Sequence, residues 1–129
     1  AMHAANPRHV VPLGALAQAL NDSGRPAPAV ETRVREATRL DPGHPQIPRL
    51  HNMVIKRYLD ERNYARALRV AEESLALFPD DLDKQALKAV ALAGLGRRQQ
   101  ALQVIDRAIA ARPERARYRV LRAEIRRDG

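Results

Sequence analysis

Apolar residues recur three and four positions apart through almost the whole chain, the spacing of amphipathic helices rather than the alternation of strands. Between Pro48 and Asp60, Leu50, Met53, Val54, Tyr58 and Leu59 share one broad face, and the polar run Glu61-Arg62-Asn63 ends the helix. Asn63 is placed to cap a second helix, whose stripe is Tyr64, Ala67, Leu68, Ala71, Leu75 and Phe78 and whose end is marked by Pro79. Asp80 and Asp81 then offer an N-cap and a negative charge at the positive end of a third helix. It carries Leu82, Ala86, Leu87, Ala89, Val90 and Leu92 until Gly94 and Gly96 interrupt it. Gln99 to Ala111 follows with Ala101, Leu102, Ile105, Ala108 and Ile109, closed by Pro113. A last helix between Glu114 and Arg127 aligns Tyr118, Leu121 and Ile125.

Upstream, Leu13, Leu16, Ala17 and Leu20 predict a helical face ending near Asn21 to Gly24. Val30, Val34, Ala37 and Leu40 predict another, ending at Asp41-Pro42. The link from Pro42 to Pro48 is longer than the one at Asp80, so any kink in stacking is expected there. Residues 1–9 are expected to precede the folded unit as a disordered or cloning-derived start, with one domain over 10–129.

The pattern repeats. From Tyr58 to Pro79 and again from Leu92 to Pro113 the same residue types return 34 positions apart: Ala67 and Ala101, Leu68 and Leu102, Val70 and Val104, Leu75 and Ile109, and both prolines. A fixed period of this length marks stacked helical hairpins. Units at 10–42, 48–79 and 82–113 and a terminal helix at 114–127 give about three and a half repeats.

Leu92, Gly96, Ala101, Ala108 and Pro113, with Ala89 as the small residue of the first helix, resemble the tetratricopeptide repeat in their order. Tyr58, Tyr64, Ala67 and Pro79 carry the resemblance in the preceding unit, and Leu16, Ala17, Leu20, Gly24, Ala37 and Pro42 in the first. It implies an all-α, right-handed α-solenoid whose first helices line a concave face. By position that face should include Gln18, Asn52, Lys56, Asp83, Ala86, Val90, Arg117, Val120 and Glu124. The chain departs from the pattern at Lys88 and Arg122, where an apolar residue is usual, at Arg62 in place of the turn glycine and at Ser74 in place of the late alanine. At the first two, aliphatic stems should cover apolar surface while the charged ends reach water. Some relatives clamp a carboxyl-terminal peptide with lysine, arginine and asparagine; the matching positions here are Gly14, Gln18, Met53, Asp83 and Leu87, so that clamp is absent. A register one unit later offers Asn52 and Lys56 but then Leu87, Arg117 and Leu121.

Composition narrows the chemistry further. The chain has no cysteine, hence no disulfide or thiolate site. No apolar run approaches the roughly 20 residues of a membrane span, and a soluble protein is expected. The formal net charge of +8 comes from 20 arginines and 3 lysines. This bias fits a GC-rich, bacterial coding sequence, of cytoplasm or periplasm, and would also attract an acidic partner. His3, His9, His44 and His51 are never four apart on one helix, so no metal site is expected and all four are read as solvent-exposed. Glu72-Glu73 and Asp80-Asp81 are adjacent and diverge, and no phosphate loop or nucleophile motif is present, so neither an enzyme nor a cofactor is expected.

The function expected is therefore a protein-interaction scaffold within a larger assembly. A peptide or partner helix would dock in the concave face, over an apolar floor at Ala86 and Val90, with Asn52, Lys56 and Arg117 fixing polar groups. Self-association through the solenoid ends, as a spacer of an envelope or secretion complex, is the first alternative. Salt-dependent polyanion binding is the second. Sequence-specific nucleic-acid reading is disfavoured, because the equivalent inner positions hold Asn52, Ala86 and Val120, which recur as no code. The arginine-dense end, Arg115, Arg117, Arg119, Arg122, Arg126 and Arg127, is the best candidate for electrostatic recognition.

Overall fold

A computed structural model describes the chain from Ala5 to Asp128, with side chains placed from Val10 to Arg127. Seven helices follow one another in this stretch: α1 Ala5–Asp22, α2 Ala27–Leu40, α3 Ile47–Asp60, α4 Tyr64–Leu77, α5 Leu82–Gly94, α6 Arg98–Ala111 and α7 Ala116–Asp128. They pair as the hairpins α1–α2, α3–α4 and α5–α6, with α7 single. Helix α1 begins inside the stretch 1–9 expected to precede the domain, and residues 1–4 of that stretch lie outside the described residues.

Local chemistry explains the helix ends. The Asn63 side chain accepts from the Arg66 N–H at 3.3 Å, and Asp81 Oδ1 accepts from the N–H groups of Asp83 at 3.1 Å and Lys84 at 3.3 Å, so the helix starts of α4 and α5 are capped as their sequences predict. Helix α2 starts after Pro26, which offers no side-chain cap; its Ala27 N–H instead donates to Glu61 Oε2 of the next hairpin at 2.8 Å. All three hairpin turns close in the same way. The N–H groups of Arg25, Asn63 and Arg97 reach back to the carbonyls of Leu20, Tyr58 and Leu92 at 3.0, 2.9 and 2.9 Å. The residue before each sits in the left-handed region: Gly24 at φ 78°, Arg62 at φ 58° and Gly96 at φ 81°.

Small residues set the spacing between helices. Ala67, Ala71, Ala89, Ala91, Ala101 and Ala108 are fully buried, which lets backbones approach closely. Where α4 begins against the end of α5, the Tyr64 ring lies so near Gly94 that a Cβ there would come within 2.3 Å of it. The first helices α1, α3, α5 and α7 touch in succession, whereas the backbones of α2, α4 and α6 do not meet among the described residues. This arrangement curves the stack, with the first helices on the inside.

Two expected core positions differ. Leu16 and Leu40 are 42% and 40% exposed, because no element among the described residues covers that side of the α1–α2 hairpin. The link from Asp41 to Gln46 is two consecutive turns. Here the His44 N–H donates to the Asp41 carbonyl at 3.1 Å and the Gln46 N–H to His44 Nδ1 at 3.1 Å.

Candidate functional site

The inner surface is built by one face of each first helix. Gln18 of α1, Asn52 and Lys56 of α3 and Asp83 of α5 come together around a groove of about 460 Å³, completed by Asn21, Arg49, Met53, Arg57 and Asp60. Gln18 is held by its neighbours: its Nε2 donates to Asp22 at 2.9 Å and its Oε1 accepts from Arg49 at 3.1 Å. Arg49, Lys56 and Arg57 line the groove together with Asp60 and Asp83, so the site presents both signs of charge. Arg57 Nε is buried without a hydrogen-bond partner among the described residues, 3.6 Å from Glu61.

Of the other residues expected on this face, Val90 and Glu124 meet in a second hollow of about 360 Å³ with Tyr64, Gly94 and Leu121. Arg117 lies 3.8 Å from Asp83 and over the Tyr118 ring, and Val120 is 58% exposed. Ala86 is corrected: at 2% exposed it is core and presents no floor. Asn52 also has a structural task. Its Oδ1 accepts from Lys84 Nζ at 2.7 Å, and the same ammonium donates to the Pro48 carbonyl at 2.9 Å and to Asp81 at 2.8 Å. Lys84 is fully buried and lies 5.2 Å from the centre of the Phe78 ring. Its three donors are therefore all used on α3 and the start of α5. Sequence reasoning missed it, since periodicity marks Lys84 only as a polar residue in the first turn of a helix.

Tyr118, one repeat after Lys84, plays a similar part: it is fully buried and its hydroxyl donates to Asp83 at 2.8 Å. Burial and then the Asp83 carboxylate push its phenol above the usual range. Asp83 thus lies in the groove wall already engaged by Tyr118 and, through charge, by Arg115 at 3.6 Å.

A third hollow of about 360 Å³ opens on the other side of α3, between α2 and α4, where Val34, Val54, Val70 and Leu77 surround His51. The reading of all four histidines as solvent-exposed fails here. His51 is half-buried, with Nε2 2.9 Å from Thr38 Oγ1 and Nδ1 2.8 Å from Ser74 Oγ. Thr38 donates its own proton to the Val34 carbonyl at 2.8 Å, so it accepts from His51 Nε2–H and Ser74 donates to Nδ1. Ser74, the departure from the expected late alanine, is thereby explained. Burial, then the charges of Lys84 and Arg35, lower the His51 pKa to about 4 against the opposing pull of Glu73. Nearby, buried Glu31 accepts from Tyr58 and, at 2.7 Å, from Arg35. Burial pushes its carboxyl up, but these bonds and the arginine charges outweigh it and hold the group below the usual range. Arg35 also reaches Glu73 at 2.8 Å, bridging α2 to α4 where their backbones stand apart. No group of three or more His, Asp or Glu side chains among the described residues is placed to hold a metal.

Lys88 and Arg122, expected to carry their charges out to water, each place them beside a carboxylate of a neighbouring helix. Lys88 is half-buried with Nζ 3.6 Å from Glu72, and Arg122 Nε donates to Asp106 at 2.6 Å. No helix among the described residues is long and apolar enough to cross a membrane. No curated protein and no solved structure matches the chain. Compared with models of protein families, however, residues 58–125 match the tetratricopeptide repeat, and that stretch is more than half of the 129 residues. With three helix hairpins closed by the same turn, first helices packed in succession and a 34-residue period, the chain belongs to the tetratricopeptide repeat family.

Proposed function

We propose that this protein is an interaction module that takes a polar segment of another protein into the groove between α1, α3 and α5. The observation that carries the reading is that four side chains expected there, Gln18, Asn52, Lys56 and Asp83, come from three different helices and line one groove. Repeats of this family generally serve protein–protein interaction, and nothing in the groove resembles a catalytic constellation. Arg49 and Lys56, both exposed, supply the steering charge, while Asp60 and Asp83 select against a uniformly acidic ligand. The polar lining favours hydrogen bonding to a partner's backbone and side chains over burial of a large apolar anchor. Affinity in a groove this shallow is expected to be about micromolar.

The test is affinity capture from a bacterial lysate after nuclease treatment, at about 50 and 300 mM salt, which separates counterion-driven from specific binding. The bait is the wild-type chain beside Arg49→Glu with Lys56→Glu. These two positions are chosen over Asn52 because removing Asn52 would also strip a partner from buried Lys84 and confound binding with stability. A protein retained at both salts by the wild type and lost by the variant supports the groove. The same proteins captured equally by both baits would refute it, and nucleic acid or a crowd of acidic proteins lost at the higher salt would leave only polyanion attraction.

A further inference from the structure

Each helix hairpin is held by a second helix lying on a fixed face of the first. On α3 that face includes His51, which bonds Ser74 of α4, and Val54, which meets Val70 of α4 in the same hollow. Counting on by two repeats, the matching residues of α7 are Arg119 and Arg122, and the next two on the face, Ile55 and Tyr58, become Ala123 and Arg126. These four residues of α7, with Asp106 and Ile109 of α6, line an open groove of about 640 Å³. Its floor and wall are the counterparts of those that α4 covers between α2 and α3, and no helix among the described residues covers them.

We propose that this groove docks an acidic amphipathic helix of a partner protein, lying where a second helix would complete the fourth hairpin. The shape argument is the equivalence itself: the space between α6 and α7 is bounded as the space filled by α4 is bounded. Charge decides the occupant. Three guanidinium groups replace an imidazole, an isopropyl group and a phenol ring; Arg119 donates to the Pro113 carbonyl and Arg122 to Asp106, and an apolar helix of the ordinary repeat kind would desolvate all three while adding no acceptor. Asp106 is engaged by Arg122 and offsets only part of that charge. A helix with carboxylates spaced i, i+4 and i+7 meets Arg119, Arg122 and Arg126, while alanine or leucine beside them covers Ala123 and Ile109. The same arginine face argues against apolar stacking of this end on a second copy. The groove shares no residue with the one between α1, α3 and α5, so the two proposals stand or fall separately.

The probe is a synthetic helical peptide of about 20 residues carrying glutamates on one face and alanine and leucine on the adjoining strip, with a glutamine-for-glutamate version and polyglutamate of equal charge as controls. Binding is read by fluorescence anisotropy and mapped by amide shifts in NMR. The expected result is binding of the glutamate helix alone, shifts centred on Ile109 and Ala123, and affinity about tenfold weaker for Arg119→Glu with Arg126→Glu. Arg49→Glu with Lys56→Glu should leave it unchanged. Equal binding of polyglutamate, or equal loss in both charge-reversed variants, would overturn the proposal in favour of diffuse electrostatics. No binding of the glutamate helix at millimolar concentration would overturn it outright.

Discussion

Arg62 occupies a left-handed position, φ 58°, that the other two hairpin turns give to Gly24 and Gly96. A Cβ in that region costs about 1–2 kcal/mol, partly offset because glycine loses more entropy on folding. Arg62→Gly is therefore expected to stabilise the protein by about 0.5–1 kcal/mol in urea unfolding; a loss of stability would mean that the exposed Arg62 side chain makes a compensating contact. His51 gives a second residue-scale outcome. Its imidazole is neutral in the folded protein down to about pH 4, whereas in the unfolded chain it titrates near 6.5. As pH falls below 6.5 the unfolded state takes up the proton first, so stability declines until folded His51 itself titrates, by roughly 3 kcal/mol at most. Glu31 acts in the same direction at lower pH, its lowered carboxyl giving up stability as it is protonated. His51→Gln should flatten the decline between pH 6.5 and 4.5; an unchanged profile would assign the acid sensitivity elsewhere. Neither Thr38 nor Ser74 could be named from sequence as a partner of His51, since they lie 13 and 23 positions away with no shared spacing.

Helices and turns were legible because their signals are local. Asn63, Asp81, Pro79 and Gly96 act within a few residues of themselves, so cap and turn chemistry can be read directly off the chain. Glu61 capping α2 from the next hairpin could not be, since its target, Ala27, lies 34 positions back and belongs to a helix whose own start is proline-led. Lys84 is the same kind of case, and it ties elements together. One fully buried ammonium joins the carbonyl of Pro48 in α3, the side chain of Asn52 and the N-cap of α5. Lys84→Ala should cost about 3 kcal/mol or more, through both the lost stem and the unsatisfied acceptors. Lys84→Met, which keeps the buried apolar stem, should recover part of that loss. Chemical denaturation of the three proteins separates the two contributions, and equal stability of Lys84→Ala and wild type would show that the buried ammonium merely offsets its own desolvation.

At the scale of the molecule, every helix packs on near neighbours in the chain, so stability is distributed along the stack rather than around a centre. Helices α3 and α5 each pack on four other helices, whereas α7 meets two, α5 and α6, among the described residues. Amide exchange should therefore be slowest in α3 to α5 and at least about tenfold faster in α7, measured by hydrogen–deuterium exchange at neutral pH. Uniform protection across the seven helices would instead indicate a single cooperative unit. The sequence by itself determined the all-α class and the three hairpins with a seventh helix. Those depend on a 3.6-residue period and a 34-residue repeat, which are properties of the chain alone. Only the tertiary structure decided that Ala86 is core, that Asn52 serves Lys84, that His51 is half-buried between Thr38 and Ser74, and that the arginines of α7 line a groove with α6. Each of these depends on the distance between side chains far apart in sequence, and such distances are set by how closely neighbouring hairpins pack.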